Sequence, residues 1–195
     1  MKKILITGFE PFGGESINPS WEAVIRLPDI INNYELTKIR IPVEFNESSK
    51  IVIEKANNIS PDAILCIGQA AGRNAVTPEL LAINLRYASI PDNNGYQPLD
   101  ERIVPNGENA YFSTLPMRKI AEAINDNKIP SNVSYSAGTY VCNDLLYSLL
   151  YHYKTTRVKV GFIHIPYCKE QNKEPSMTLD DIIKSLIIAI ENIDV

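Results

Sequence analysis

The chain has 195 residues, of which 45% are hydrophobic and 22% are charged, a composition typical of globular proteins. This length is enough for one domain with a sizeable core, and we expect a single domain over residues 1–195. The formal net charge of −4, with no block of lysine or arginine, argues against a nucleic-acid-binding protein, and no apolar segment approaches membrane-spanning length.

Strand and helix patterns alternate through the first half of the chain. Asn18 precedes Pro19 at the start of an apolar helical pattern, which predicts that Asn18 caps this helix. The apolar run near the N-terminus is too short for a signal peptide, so we interpret it as the first strand. In chain order, the predicted elements are a strand at 3–8, a helix after Asn18, a strand at 35–43, a helix that opens at Asn46 and a buried strand at 63–68.

The second half continues this alternation around two polar segments. Residues 90–109 are rich in Pro, Asn, Asp and Gly and have no period, which predicts a long loop of a kind that is often functional. The other predicted elements are an extended segment at 79–87, a helix at 114–127, a short strand at 133–136, a helix at 141–153, a strand at 158–165, a polar loop at 166–176 and a final helix capped by Thr178. This alternation predicts the α/β class, as a three-layer α/β/α sandwich with a mixed, largely parallel sheet.

Cys142 and His164 are the two residues whose positions suggest catalysis. Cys142 falls in the first turn of the predicted helix at 141–153, where free amide groups and the helix dipole favour a thiolate. His164 falls at the end of the predicted strand at 158–165, where ligands gather in α/β proteins. A lone cysteine is more often a small buried hydrophobe, and a lone histidine is usually structural. The placement of both nevertheless indicates a nucleophile and a base, and hence a cysteine hydrolase.

The other two cysteines are predicted to take no part in catalysis. Cys66 lies within a continuous apolar run and should be inert core, whereas Cys168 lies in the polar loop, where it could be exposed, but has no helix start to activate it. Three widely spaced cysteines indicate neither a disulfide framework nor a zinc site, and two histidines cannot form a histidine-rich metal centre. We therefore expect no cofactor or metal, and a protein of the reducing cytoplasm.

Four segments of the chain, in this order, resemble the pyroglutamyl peptidase I family, also called pyrrolidone-carboxylate peptidases. They are GFEPFGG at 8–14 with NPS at 18–20, GQAAGR at 68–73 leading to TPE at 77–79, AGTYVCND at 137–144, and GFIHIPY at 161–167. The resemblance spans nearly the whole chain. It implies a cysteine exopeptidase that removes an N-terminal pyroglutamyl residue from peptides through an acyl-enzyme. Matching the motifs implies that Cys142 is the nucleophile, His164 the base and Glu79 the carboxylate that orients the base.

The resemblance also implies where the substrate binds. A pyroglutamyl ring is a neutral lactam, so its site needs an apolar slot and a few hydrogen-bonding groups. The matched motifs assign the slot to five residues and its polar contacts to three more. The slot residues are Phe9, Phe12, Ile90, Tyr140 and Val141, and the polar candidates are Asn18, Gln69 and Asp92. Asp92 is equally well explained as a turn residue that organises its own loop. The family resemblance further suggests a homotetramer.

Five positions depart from the family pattern, and one of them is Cys168, where the family commonly carries an apolar residue. Leu80 follows Glu79 where an arginine is usual, and Tyr87 and Ser89 replace an aspartate and an arginine. Asp144 replaces a histidine two residues after Cys142, and a negative charge so close would raise the pKa of the thiol. These departures support a second hypothesis: a degenerate or binding relative, or an amidase of altered acyl specificity, that keeps the lactam slot.

Overall fold

Four parallel strands form the centre of the fold in the computed structural model, which describes all residues from Met1 to Val195. Their spatial order is β3 (Tyr34–Ile41), β1 (Lys2–Phe9), β4 (Ala63–Gln69) and β8 (Lys159–Ile165). Two short antiparallel strands complete the sheet at its edges, β2 (Ile30–Ile31) beside β3 and β5 (Thr77–Pro78) beside β8. Two further pairs lie outside it: β6 (Leu81–Ile83) with β7 (Ala110–Phe112), and β9 (Tyr167–Cys168) with β10 (Ser176–Met177).

Alternating side chains of the strands bury two separate cores, one on each face of the sheet. Ile4 and Ile6 pack on the first face, against α1 (Pro19–Arg26), α3 (Met117–Asp126) and α5 (Leu179–Glu191). Leu5 and Cys66 pack on the second face, against α2 (Glu47–Ile59) and α4 (Val141–Tyr153). The predicted three-layer α/β/α sandwich with a mixed, largely parallel sheet is therefore confirmed.

The connections place a crevice at the carboxyl ends of β1 and β4. From β1 the chain crosses to β3 through α1 on the first face, and from β3 it returns to β4 through α2 on the second face. Strands β3 and β4 thus lie on opposite sides of β1, which is the arrangement that opens a ligand crevice in doubly wound sheets. Because the four central strands are parallel, Phe9, Gln69 and Ile165 end at the same edge.

Both predicted helix caps are confirmed. The side chain of Asn18 accepts a hydrogen bond from the Ser20 amide, and that of Thr178 accepts one from the Asp181 amide. The helix predicted to open at Asn46 begins at Glu47; Asn46 itself adopts a left-handed φ of 62°, and its side chain makes no capping bond. Helix α4 has the predicted bounds.

Several segments outside the central strands differ from prediction. The predicted strand at 133–136 is absent; Ser134 forms only an isolated bridge with Glu79. The helix predicted from residue 114 begins at Met117, because Thr114 bonds to the backbone of Val160 in β8 and Pro116 precedes the first turn. The extended segment at 79–87 forms a strand only as β6, and the loop at 166–176 contains β9, a single 3₁₀ turn and the first residue of β10. The long loop at 90–109 is confirmed.

The five helices of the fold are all short. The longest, such as α4 and α5, have 13 residues, and no helix is both long and apolar enough to cross a membrane.

Candidate active site

Cys142 is the second residue of α4, and its thiol lies against the end of β4. No side chain caps α4, whose preceding residue is Tyr140. Gly68 allows the close approach of the helix: a Cβ at this position would lie 3.1 Å from Cys142 Sγ and 2.6 Å from Cζ of Phe162. Cys142 is partly exposed, whereas Cys66 and Cys168 are buried.

His164 lies beside the same glycine. In the parallel register of β4 and β8, Gly68 is the partner of His164. His164 points to the same face as Phe162, two residues earlier, and the two ring centroids are 4.7 Å apart. Helix α4 packs on this second face, so the thiol and the imidazole adjoin one position of the sheet, although no hydrogen bond joins them.

Glu79 contacts the imidazole from the side of β5, the edge strand next to β8. Strand β5 pairs with β8 so that Thr77 lies opposite His164, and the amide of Glu79 donates to the Phe162 carbonyl at 2.9 Å. The Glu79 carboxylate is fully buried, and its Oε1 lies 2.7 Å from His164 Nδ1. With the Nδ1 hydrogen donated to this carboxylate, Nε2 is the ring nitrogen that can accept a proton.

Burial shifts both reacting groups toward their neutral forms. It raises the pKa of the Cys142 thiol to about 12, and the negative charge of Glu79 adds to the effect. Burial also lowers the pKa of His164 below its ordinary value, against the opposing effect of Glu79. This direction runs against the expectation of a thiolate at the helix start, because loss of solvent opposes the effect of the helix terminus.

Asp144 does not perturb the thiol as its position in the sequence suggested. Its carboxylate is fully buried and lies 2.5 Å from Nε of Arg86, while its other oxygen accepts a hydrogen bond from the Asn46 amide at 3.0 Å. Glu79 and Cys66 raise the pKa of the Cys142 thiol and Arg73 lowers it, whereas Asp144 is not among the groups that shift it. The buried ion pair with Arg86 explains how a carboxylate is tolerated next to the nucleophile.

A cavity of about 260 Å³ opens beside the start of α4. Three of the predicted slot residues line it, namely Phe12, Ile90 and Tyr140, together with Tyr87, Ala88, Ser89 and Thr139. The rings of Phe12 and Tyr140 are 6.4 Å apart, and that of Phe45 packs edge-on against Tyr140 at 5.3 Å. No charged side chain lines this cavity, which suits an uncharged ligand.

Comparison with known proteins places this arrangement in a family. The family model described as pyroglutamyl peptidase matches residues 2–194. Pyrrolidone-carboxylate peptidases of Thermosipho africanus and Brachyspira hyodysenteriae are 50% and 48% identical, covering 98% and 97% of this chain and 96% and 97% of their own. The crystal structure of Bacillus amyloliquefaciens pyroglutamyl peptidase I superposes with a TM-score of 0.96 at 45% identity over 99% of this chain and 97% of that one. This chain belongs to the pyroglutamyl peptidase family. It is therefore a hydrolase of the cysteine peptidase type.

Two of the five predicted slot residues lie in the core instead of lining the cavity. Phe9 and Val141 are buried in the core of the second face and do not line the cavity. The ring of Phe9 packs on Phe162 at 6.4 Å, so these two residues support the site from within the core. Contact with a ligand therefore falls to Phe12, Ile90 and Tyr140.

The three polar candidates differ in how far their hydrogen-bonding groups are already used. The Asn18 side chain accepts from Ser20 and donates to the Glu10 carbonyl. Asp92 accepts from the amides of Phe45, Asn94 and Tyr96, which makes it the organiser of its loop. Gln69, at the crevice edge of β4, uses its oxygen to accept from Gln171 at 2.9 Å. Of the three, Gln69 has its side-chain NH₂ free for a ligand.

The departures from the family pattern have separate structural consequences. Leu80 packs against the core of the first face, where an apolar side chain is favourable. Tyr87 and Ser89 line the cavity, and the backbone of Tyr87 is held by two hydrogen bonds to Thr139, three residues before the nucleophile. These two positions are therefore the ones that can alter ligand preference.

The prediction that Cys168 could be exposed is wrong. Cys168 lies in β9, which pairs with β10, and it is fully buried in the first-face core.

The sequence did not predict the contacts of three residues near the site. Arg73 contacts Glu79, Arg86 neutralises Asp144, and Asn143 bonds to the backbone of β6. Arg73 lies in a quoted motif, but sequence spacing does not reveal which carboxylate it contacts. No cluster of three or more His, Cys, Asp or Glu side chains could hold a metal ion.

Proposed function

We propose that this chain removes an N-terminal pyroglutamyl residue from peptides, with Cys142 as nucleophile, His164 as base and Glu79 as its orienting carboxylate. The observation that carries the proposal is the buried 2.7 Å hydrogen bond between His164 Nδ1 and Glu79. It leaves Nε2 free as the basic nitrogen of a residue that is the strand partner of Gly68, and the thiol of Cys142 lies against the same glycine. The relatives are pyrrolidone-carboxylate peptidases, which supports pyroglutamyl peptides as the substrate class.

Acylation begins from the neutral pair. His164 Nε2 takes the thiol proton as Sγ bonds to the pyroglutamyl carbonyl carbon, whose π electrons move onto oxygen. The first-turn amides of α4, which no side chain caps, are donors for this oxyanion. An oxyanion donor of this kind typically contributes about 3–4 kcal/mol to the transition state. The C–N bond then breaks, and the imidazolium gives its proton to the leaving amine.

Deacylation reuses the same base. His164 removes a proton from a water molecule, whose oxygen attacks the thioester carbon. The C–S bond breaks, the sulfur recovers the proton from the imidazolium, and free pyroglutamate leaves. Glu79 accepts the Nδ1 hydrogen throughout and stabilises the imidazolium that forms twice in each cycle.

Selectivity for the lactam follows from the lining of the cavity. Phe12, Ile90 and Tyr140 surround the space with apolar atoms and no charged side chain. A substrate that starts with glutamine or glutamate carries an ammonium group, and burying it without a partner is costly. The neutral pyroglutamyl ring avoids this cost, so it is selected by desolvation as well as by shape.

Hydrolysis of fluorogenic amides tests the proposal. We expect the pyroglutamyl amide to be cleaved with a kcat/KM at least about 100-fold above its prolyl and glutaminyl analogues, a ratio that a few kcal/mol of desolvation supplies. Phe12→Ala should raise KM and lower kcat, because ring anchoring positions the scissile carbonyl. Cys142→Ala should abolish turnover, and Cys66→Ala, which alters a buried thiol, should retain it.

Altered acyl specificity is the alternative that the structure specifically favours. Tyr87 and Ser89, which differ from the family pattern, line the cavity itself. If the prolyl or glutaminyl amide matched the pyroglutamyl amide in kcat/KM, this alternative would replace the lactam proposal. Loss of all three activities in a folded protein would indicate a binding relative.

A homotetrameric state and a cytoplasmic location stay predictions from the family resemblance and the cysteine content. Light scattering of the purified protein would measure the first directly, with a monomer as the contradicting result.

A further inference from the structure

We propose that Arg73 is a positioning residue for this reaction, which holds the Glu79 carboxylate in place behind His164 and ties it to the loop before the nucleophile. The inference rests on the proposed roles of Cys142, His164 and Glu79. Arg73 belongs to the loop after β4, so it approaches the carboxylate from a different element than His164 does. One terminal nitrogen of its guanidinium lies 2.6 Å from Glu79 Oε1, the oxygen that also accepts from His164 Nδ1.

The buried carboxylate needs a cation. Glu79 is fully inaccessible to solvent, and its second oxygen, Oε2, has no hydrogen-bond partner at all. An ionised carboxylate in such a place is stable only with a charged partner. Arg73 is that partner, since its guanidinium lies within 2.6 Å of the carboxylate.

Arg73 also connects the carboxylate to the nucleophile. Its other terminal nitrogen donates to the Ser136 carbonyl at 3.2 Å. The loop from Ser136 to Tyr140 leads directly into α4, which carries Cys142 in its first turn. Arg73 further donates to the hydroxyl of Thr77, the residue opposite His164 in β5. One planar guanidinium therefore contacts the loop before α4 and the strand edge that carries Glu79, a geometry that Lys can reproduce only in part.

The positive charge of Arg73 acts on both reacting groups. It lowers the pKa of His164 and that of Cys142, while Glu79 raises both, and Cys66 also raises that of the thiol. His164 must be unprotonated to act as the base, so activity is lost as the pH falls through its pKa. Removing the cation raises that pKa, and the acid limb of kcat/KM should then move to higher pH.

The test compares Arg73→Met, Arg73→Gln and Arg73→Lys with Arg26→Met, which removes a solvent-exposed arginine paired with Glu22. For Arg73→Met we expect kcat on a pyroglutamyl amide to fall about 10- to 100-fold, less than the roughly 10²–10⁴-fold contribution of a general base. KM should change little, and the acid limb should shift upward. Arg73→Lys should restore the position of the limb and part of kcat, and Arg26→Met should match the wild type.

NMR titration of the imidazoles supplies a second readout. The chain has two histidines, so a His152→Gln background leaves the signal of His164 alone. Its pKa should rise in Arg73→Met and return in Arg73→Lys. If Arg73→Met does not fold, Arg73→Gln carries the same comparison, because its amide keeps a donor without the charge.

Two results would overturn the proposal. The first is that Arg73→Met and Arg73→Gln show the same acid limb of kcat/KM and the same His164 titration as the wild type. The second is that Arg73→Lys recovers none of the kcat that Arg73→Met loses. Failure of the triad itself would look different, because Cys142→Ala would then remain active whatever happens at Arg73.

Discussion

The two faces of the central sheet bury side chains of different chemistry. On the first face, aliphatic side chains such as Ile6, Ile67 and Leu186 fill the core, and the fully buried polar residues of its helices, Ser20 and Ser185, are uncharged. The second face contains buried ionisable pairs beside its apolar core, His164 with Glu79 and Arg86 with Asp144. Each charge on the second face needs its partner, because a buried charge left unpaired is destabilising.

The cysteines of the two faces show what makes a thiol reactive here. Burial raises the pKa of Cys168, on the first face, to about 11, and that of Cys142, on the second, to about 12. A lowered pKa therefore does not distinguish the nucleophile. Cys142 differs because it is partly exposed at the crevice and adjoins a basic imidazole, whereas Cys168 is sealed in an apolar core.

The largest effect should come from removing the base on the second face. His164→Ala should lower kcat by about 10²–10⁴-fold, the usual contribution of a general base. Glu79→Gln should cost less, because an imperfectly oriented imidazole still accepts a proton. His152→Ala, at an exposed position of α4, is the matched control and should leave kcat unchanged. Wild-type kcat in the His164 variant would remove it from the mechanism.

Alanine substitutions at two glycines, one facing each side of the sheet, should affect different properties: kcat in one case and stability in the other. A Cβ at Gly68 would meet Phe162 and Cys142 Sγ, whereas a Cβ at Gly161 would lie 2.0 Å from Cε of Met117 on the first face. We expect Gly68→Ala to lower kcat by about tenfold or more, because a misplaced thiol attacks poorly. Gly161→Ala should lower the melting temperature but leave kcat of the folded enzyme intact. Equal losses of kcat in both variants would contradict the distinction.

Removing a buried charge of the second face should lower the free energy of unfolding far more than removing an exposed charge elsewhere. Arg86→Met leaves Asp144 fully buried without its cation, which typically costs about 3–5 kcal/mol of unfolding free energy. Lys119→Met removes the exposed pair with Asp194 and should change stability little. Urea denaturation measures both, and equal stability of the two variants would show that the buried pair is not needed.

The pH dependence of alkylation gives a smaller but sharp test of the neutral resting state. Because the pKa of Cys142 is raised, its thiolate fraction at pH 7 is small, and the rate of reaction with iodoacetamide should climb only above the free thiol pKa of about 8.5. Cys142→Ala should take up almost no label while folded, since Cys66 and Cys168 are fully buried. A rate that is already constant below neutral pH would indicate a preformed thiolate instead.

The sequence predicted the helices and strands whose apolar residues recur at a regular spacing. The apolar spacing from Val141 to Tyr153 identified α4 with its observed bounds, and the motifs identified Cys142, His164 and Glu79 as the residues to examine. The contacts of Arg73 could not be predicted, because they depend on β5, a strand of two residues with no detectable period. The pairing of Arg86 with Asp144 joins residues 58 positions apart, and the direction of the thiol pKa depends on burial that only the folded chain creates.

Affinity labelling tests the central claim most directly, namely that the thiol on the second face attacks the pyroglutamyl carbonyl. The folded protein is treated with a pyroglutamyl chloromethyl ketone, and the modified residue is located by peptide mapping with mass spectrometry. The account predicts a single label on Cys142, slowed by excess pyroglutamate and lost in His164→Ala. A label on Cys66 or Cys168, or an unmodified Cys142 in a protein that cleaves the pyroglutamyl amide, would contradict it.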